Sequence, residues 1–379
     1  MKRKKEPIRI LQCVSNMDRA GIETMLMNFY RNIDRNVIQF DFLCNKPKHG
    51  DYDEEIKKLG GKIYVTPGLN PLKWFKYQKY MKQLFREHPE YKIIHCQNES
   101  MGFPALYAAK HANIPVRISH SHNTVTRLDF KWPIKVIYKR LIPKVATHRV
   151  ACSKAAGEFF FKNNYSIIYN AIDTTKFIFD RAKREKIRKK LNINNSTYVL
   201  GHVGRFESQK NHKFLINLFF EYLKTNDNAL LLLIGSGSLE RKIKNKVEML
   251  GISTKVIFLG NIPNVNDYYN AMDLFILPSF HEGLPVVGIE AQISSLPCVF
   301  SDKITKEVKI SSTVDFVSLN ASVKYWIEKI EKFRNSQKNY RRKNEEIDSK
   351  YDIKDATIKL ANWYKKLYAE CIDKNNNYS

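Results

Sequence analysis

The sequence has no apolar run that could span a membrane: its longest, such as Ala229 to Ile234, fall far short of the ~18 residues that a span requires. It has no C-x-x-C either. The six cysteines (Cys13, Cys44, Cys96, Cys152, Cys298, Cys371) are scattered and mostly neighbour Ile, Val, Leu or Phe. Such spacing offers no zinc motif and predicts buried, reduced thiols of a cytosolic protein. The basic opening MKRKK is followed by an apolar stretch that Gln12 interrupts, so no secretory leader is expected. No tandem repeat is visible. Acidic residues are scarce, with 38 Asp plus Glu against 64 Lys plus Arg, a net charge of +26. That balance favours anionic partners such as lipid headgroups, nucleotides or nucleic acid, without choosing among them.

What is present is a globular composition, 43% hydrophobic and 27% charged, over 379 residues, a length that suits two domains. Short apolar strands alternate with polar or glycine-bearing turns and helices, the pattern of a parallel sheet covered by helices. It occurs twice. Strands are predicted near Arg9–Val14, Gln39–Cys44, Lys62–Val65, Lys92–Cys96, Val116–His120 and Thr147–Cys152, and again near Tyr198–Val203, Ala229–Ile234, Lys255–Leu259, Leu274–Leu277, Pro297–Phe300 and Asp315–Ser318. Asn170–Asp180 and the charged helix Arg181–Leu191 read as a linker. From Asn320 the tail is helical in period, and Ile353, Ile358, Leu360, Trp363, Tyr364 and Leu367 are candidates for packing it on another domain. These divisions give domains at 1–175 and 176–350, with a C-terminal helix and tail at 351–379. Ligands of such folds sit at the carboxyl ends of strands, so chemistry is sought in the strand-to-helix turns.

Four turns stand out. Asp18 to Thr24 places Ala20-Gly21 at a helix start, where amides and the helix dipole can meet an anion. The fifth strand ends in Ser119-His120-Ser121-His122-Asn123-Thr124; imidazole there can donate to a developing charge or to substrate. Gly201 to Asn211 carries Arg205 and Lys210, a planar fork and a point charge that suit one diphosphate. Pro278 to Ala291 carries Glu282 and Glu290, just before and within a predicted helix and slightly over two turns apart, so that both can face the same cleft, with hydroxyl donors as their natural partners.

Together these turns resemble glycosyltransferase family 4, a retaining family with the GT-B fold, and the resemblance covers nearly the whole chain. It is nearest to enzymes of bacterial capsular and exopolysaccharide assembly, through Ala20-Gly21-Ile22-Glu23-Thr24 and through His281 to Val299 followed by Ser301-Asp302. The resemblance implies two facing Rossmann-like, doubly wound domains with a C-terminal helix crossing back. It implies that Arg205 and Lys210 hold the donor diphosphate, that Glu290 binds the ribose hydroxyls and Glu282 those of the transferred sugar, and that the amides of Gly283 and Leu284 add contacts. Gly21 would lie under the phosphates and acceptor, and the turn at Gly260 near the base. His120 fits the family's catalytic-region histidine, with His122 as second candidate; His122 and Asn123 would serve the acceptor side. Neither metal nor cofactor is then required. Two departures are Ala20-Gly21 in place of a glycine pair and Asn170-Ala171 in place of Asn-Gly. The implied reaction moves a hexose or N-acetylhexosamine from a nucleotide sugar, UDP by family habit, to a lipid-linked glycan.

Two basic aromatic stretches, Pro71–His88 and Leu128–Lys144, are candidates for lying on an anionic membrane. The first would use Trp74, Tyr77, Met81, Leu84 and Phe85. The expected location is cytoplasmic, peripheral at the inner face of the cell membrane. A basic protein that binds nucleic acid or anionic membrane without catalysis is the rival reading, but no nucleic-acid reader motif is present and the paired carboxylates would go unexplained, so no nucleic-acid partner is expected. A dinucleotide oxidoreductase would rest on Gly235-Ser236-Gly237, which lacks the third glycine in register.

Overall fold

The structure is a computed structural model and describes residues 6–125, 129–336 and 349–376; the basic opening at 1–5, Leu128 and tail residues 337–348 lie outside the described residues. The chain forms two compact units, Met1–Ile172 with Ser349–Ser379, and Asp173–Asp348. In chain order the first contains β1 (Ile8–Val14), α1 (Gly21–Asn32), β2 (Ile38–Cys44), α2 (Asp53–Lys58), β3 (Ile63–Val65), α3 (Trp74–Glu87), β4 (Ile93–Cys96), α4 (Phe103–His111), β5 (Val116–Ser121), α5 (Trp132–Val145), β6 (His148–Ala151), α6 (Lys154–Phe160) and β7 (Ser166–Ile167). The second contains α7 (Arg181–Lys190), β8 (Tyr198–Val203), α8 (His212–Leu223), β9 (Ala229–Ile234), α9 (Glu240–Met249), β10 (Val256–Phe258), α10 (Val265–Tyr269), β11 (Leu274–Leu277), α11 (Val286–Ile293), β12 (Cys298–Ser301), β13 (Val314–Val317) and α12 (Val323–Asn335). The chain then returns to the first unit as α13 (Ile353–Asn376).

Both sheets are parallel. The first has the order β3-β2-β1-β4-β5-β6-β7 and the second β10-β9-β8-β11-β12-β13. Period-2 alternation divides the first sheet's residues between two cores. Ile10 and Val14 pack with α1 and α13, whereas Leu11 and Cys13 pack with α3, α4 and α5. The strand β2 is buried along its whole length, as a central parallel strand should be. Its one acid, Asp41, is satisfied by a bidentate pair from Arg9 (2.7 and 2.6 Å) and by the Tyr91 hydroxyl (2.7 Å).

The charged helix α7 is part of the second unit, not a free linker. Asp180 caps it by accepting from the Lys183 amide, and Arg184 and Arg188 both reach Asp273, at 2.6 and 3.0 Å. A buried arginine is tolerable only with such partners. In α13 the buried stripe is Ile353, Leu360, Tyr364, Leu367 and Cys371, which recur at the three-to-seven residue steps of one helix face. Ile358 was expected in that stripe but is 60% exposed, because its position falls on the opposite face. The apolar face of α3 also differs from the membrane reading: Tyr77, Met81, Leu84 and Phe85 lie in the core of their own domain with Trp74 packed against it. Leu72 (93% exposed) and Phe75 (85%) are the large apolar side chains that this segment shows to solvent. Among the described residues no helix is long and apolar enough to cross a membrane, and all six cysteines are buried.

Candidate functional site

In the second unit, the turns after β8, β9 and β10 are joined by backbone hydrogen bonds. The Gly204 amide donates to Ile234, the Phe206 amide to Ser236, and the Gly235 amide to Gly260. This accounts for the glycines that suggested a dinucleotide motif. A Cβ on Gly235 would stand 2.2 Å from the Gly204 carbonyl oxygen, and one on Gly237 would stand 2.7 Å from Phe206 backbone atoms. Both glycines exist for backbone contact within the domain. Gly260 is in the left-handed region at φ +66°, with nothing within 4 Å of a Cβ position.

The turn after β8 presents two cations in different states. Arg205 is exposed and makes no ion pair among the described residues. Lys210 is mostly buried, and its Nζ meets Glu282 Oε1 at 2.7 Å. Gln209 Nε2 donates to Glu282 Oε2 (3.3 Å) and to the His281 carbonyl (2.9 Å), while its own carbonyl accepts from the Phe280 amide. The β8 turn and the 278–284 turn are therefore one assembly. Asn211 supports it from a left-handed conformation (φ 55°) by donating to the Pro278 carbonyl.

Glu282 and Glu290 do not share two turns of one helix. Glu282 lies in an extended bridge with Ile304, and α11 begins only at Val286, so helical pitch does not relate the two acids. Each has its own partner. Glu290 is buried, accepts from the Tyr269 hydroxyl at 2.8 Å, and is pushed up to about 7 by burial despite that hydrogen bond. Gly283 and Leu284 occupy the connection between β11 and α11, with Leu284 buried.

In the first unit, Gly21 is the first residue of α1, its N-cap Ala20 supplies no side-chain hydrogen bond, and a Cβ at Gly21 would meet nothing within 4 Å. The fold itself gives no steric reason for glycine there. His120 lies within β5 and His122 just past it, both buried, with ring centroids 4.1 Å apart. Asn123 donates to Glu99 Oε1 at 2.7 Å, and the His122 amide donates to the same oxygen at 3.1 Å. Burial raises the Glu99 carboxyl above its ordinary range against these hydrogen bonds, and its backbone is held at φ 50°.

Sequence reasoning missed the residues around the histidines. Gln12 and His95 are register partners on β1 and β4, and Gln97 follows on the same face. His95 Nε2 meets His120 Nδ1 at 3.2 Å, His95 Nδ1 meets the Tyr364 hydroxyl at 2.6 Å, and Gln12 Nε2 donates to that hydroxyl at 3.1 Å. Gln97 Nε2 donates to Gln12 Oε1 at 2.9 Å, and its Oε1 is 2.9 Å from His122 Nε2. Burial pushes His95 and His122 down to about 3 and His120 well below its ordinary value, so the cluster is neutral. The available signal was polar residues at alternate positions of apolar strands: Ile93-His95-Gln97 and Ile118-His120-His122. Among the described residues no cluster of three or more His, Cys, Asp or Glu is placed to hold a metal ion.

Set beside known proteins, residues 19–176 match the family described as Glycosyltransferase Family 4, and residues 183–349 match Glycosyl transferases group 1. The chain is 34% identical to EpsF of Bacillus subtilis (strain 168), a glycosyltransferase by name, over 85% of this chain and 86% of that one. It is 26% identical to the Escherichia coli UDP-Gal:alpha-D-GlcNAc-diphosphoundecaprenol alpha-1,3-galactosyltransferase, over 75% and 76% of the two chains. CapM of Staphylococcus aureus, named as a capsular polysaccharide biosynthesis glycosyltransferase, is 26% identical over 81% and 82%. Among solved structures, Anabaena Alr3699/HepE in complex with UDP and glucose superposes with a TM-score of 0.80 at 17% identity, covering 94% of this chain and 99% of that one. Two parallel-sheet α/β domains and these neighbours give the GT-B fold class.

Proposed function

Because the chain belongs to glycosyltransferase family 4, we propose that it transfers a hexose or N-acetylhexosamine, with retention, from a UDP-sugar to a lipid-linked glycan during capsular or exopolysaccharide assembly. The observation that carries the donor half is an exposed Arg205, with no ion pair among the described residues, in the same turn as Lys210, which Glu282 holds at 2.7 Å. An unpaired guanidinium at the end of a parallel strand suits a diphosphate. The UDP-Gal and diphosphoundecaprenol in the name of the E. coli relative support the donor and the acceptor class.

In this reading the developing negative charge on the departing diphosphate meets Arg205 and Lys210, and no metal takes part. Glu290 accepts from the ribose hydroxyls and Glu282 from the transferred sugar. The Gly283 and Leu284 amides add contacts, Gly260 borders the base, and the Gly21 turn lies under the phosphates. His120 Nε2 contacts the sugar, with His122 and Asn123 on the acceptor side. The chain works on the cytoplasmic face of an anionic membrane. Support for that last point comes from Leu72, Phe75 and Phe130 (89% exposed) among exposed lysines such as Lys73 and Lys76.

The test is turnover of a panel of UDP-, GDP- and ADP-sugars with a synthetic prenyl diphosphate sugar acceptor, with and without anionic vesicles, and the anomeric configuration of the product read by NMR. One UDP-sugar giving a retained linkage without added metal, faster on vesicles, is the expected result. No turnover with any donor, alongside salt-dependent binding of RNA, would replace this reading with a basic binding scaffold.

A further inference from the structure

The six residues Tyr364, His95, His120, His122, Gln97 and Gln12 form one continuous buried network, and the donors and acceptors along it can be ordered. The carboxamide of Gln97 donates to Gln12 and therefore turns its oxygen to His122, so His122 must carry its proton on Nε2. The Gln12 nitrogen donates to the Tyr364 oxygen, so the phenol proton is directed to the remaining partner, His95 Nδ1. With Nδ1 accepting, neutral His95 holds its proton on Nε2 and donates it to His120 Nδ1. His120 is then the Nε2–H tautomer. Two atoms end the network without a hydrogen-bond partner among the described residues: His120 Nε2 and His122 Nδ1. By the ordering just given, the first is a donor and the second an acceptor. An unpaired buried polar atom is costly, so both ends are set up for a ligand.

We propose that Tyr364, on the C-terminal helix, is a positioning residue that fixes the tautomer of His120 through His95, so that β5 offers a neutral N–H donor to the substrate. The proposal rests on the glycosyltransferase reading only in naming that substrate a sugar. Tyr364 does not touch the reacting atoms in this account. It contributes one directed O–H, which an aromatic ring of the same shape lacks; the phenol is otherwise packed edge-on to Phe40 with ring centroids 6.0 Å apart. Burial raises the phenol above its ordinary range, which keeps it a donor at every pH of interest. The low values of His95 and His122 keep both rings neutral, the state in which a tautomer has meaning.

The experiment is long-range ¹H–¹⁵N NMR of histidine-labelled full-length protein at pH 7, with His95, His120 and His122 assigned by single His→Gln substitutions. The wild type is expected to show all three as neutral Nε2–H forms. Tyr364→Phe is expected to remove the bias, with His120 populating the Nδ1–H form, and to lower kcat about tenfold, the scale of one hydrogen bond, without changing UDP affinity. Ile358→Ala, on the exposed face of the same helix, should leave spectrum and rate as they are. A wild-type His120 protonated at Nδ1 overturns the proposal, whether or not Tyr364→Phe folds. So does an unaltered His120 spectrum in a folded Tyr364→Phe. Absence of glycosyl transfer by the wild type would instead count against the functional reading, and the tautomer result would stand independently of it.

Discussion

The candidate residues of the two domains are held ready by opposite physical means. In the first, the candidate residues are buried, neutral and linked through Gln12, Gln97, His95 and Tyr364, with only the ends of the network unsatisfied. In the second, the key cation is exposed: Arg205 has no ion pair among the described residues, and Lys210 is kept at the turn by Glu282. Burial lowers the histidines until they cannot carry charge, which suits hydrogen bonding to a hydroxyl. Exposure leaves the planar fork of Arg205 accessible, which suits a phosphate. A transferase that must release a nucleotide diphosphate and orient a sugar needs both.

The largest effect should come from breaking the charged side of this contrast. Arg205→Ala is expected to lower kcat about 100- to 1,000-fold, since a preorganised donor aimed at developing charge contributes ~3 to 4 kcal/mol. Lys210→Ala should act on the same scale. Steady-state kinetics check both, and near-unchanged turnover in either variant would remove its phosphate role.

A smaller effect tests the one strongly shifted acid among the described residues of the second domain. Glu290 rises from 4.5 to about 7 through burial. The unfolded chain loses this proton first, so the group's contribution to stability is full below the unfolded value and is lost as pH rises through about 7. Glu290→Gln should therefore gain on the wild type by at most about 3 kcal/mol between pH 4.5 and pH 8. Denaturant unfolding across that range measures the difference. A wild-type-minus-variant gap that is flat with pH would mean that folding does not raise the Glu290 carboxyl.

The outline of the fold was legible because strands and turns are written locally. The apolar runs at Ala229–Ile234 and Leu274–Leu277 coincide with β9 and β11, and only the two-residue edge strand β7 was too short to notice. Arg205, Lys210, Glu282 and the strand-end histidines were legible because they sit in turns where chemistry is expected. His95, Gln97 and Gln12 were not, because inside an apolar strand one polar residue resembles ordinary variation until the neighbouring strands are in register. Tyr364 lies 269 residues from His95, and no local pattern connects them. The two-turn spacing of Glu282 and Glu290 failed for a related reason, since the helix begins four residues after Glu282. Ile358 and the α3 face show that an apolar list gives a helix without saying which side is covered.

The most direct measurement is calorimetric titration of wild type, Arg205→Ala and His120→Ala with UDP and with the UDP-sugar that turns over. Arg205→Ala should weaken both ligands by the same factor. His120→Ala should bind UDP as the wild type does and lose only the added affinity of the sugar. If Arg205→Ala binds UDP unchanged, or if His120→Ala weakens UDP and UDP-sugar alike, the division of labour between an exposed cation and a buried neutral histidine is wrong.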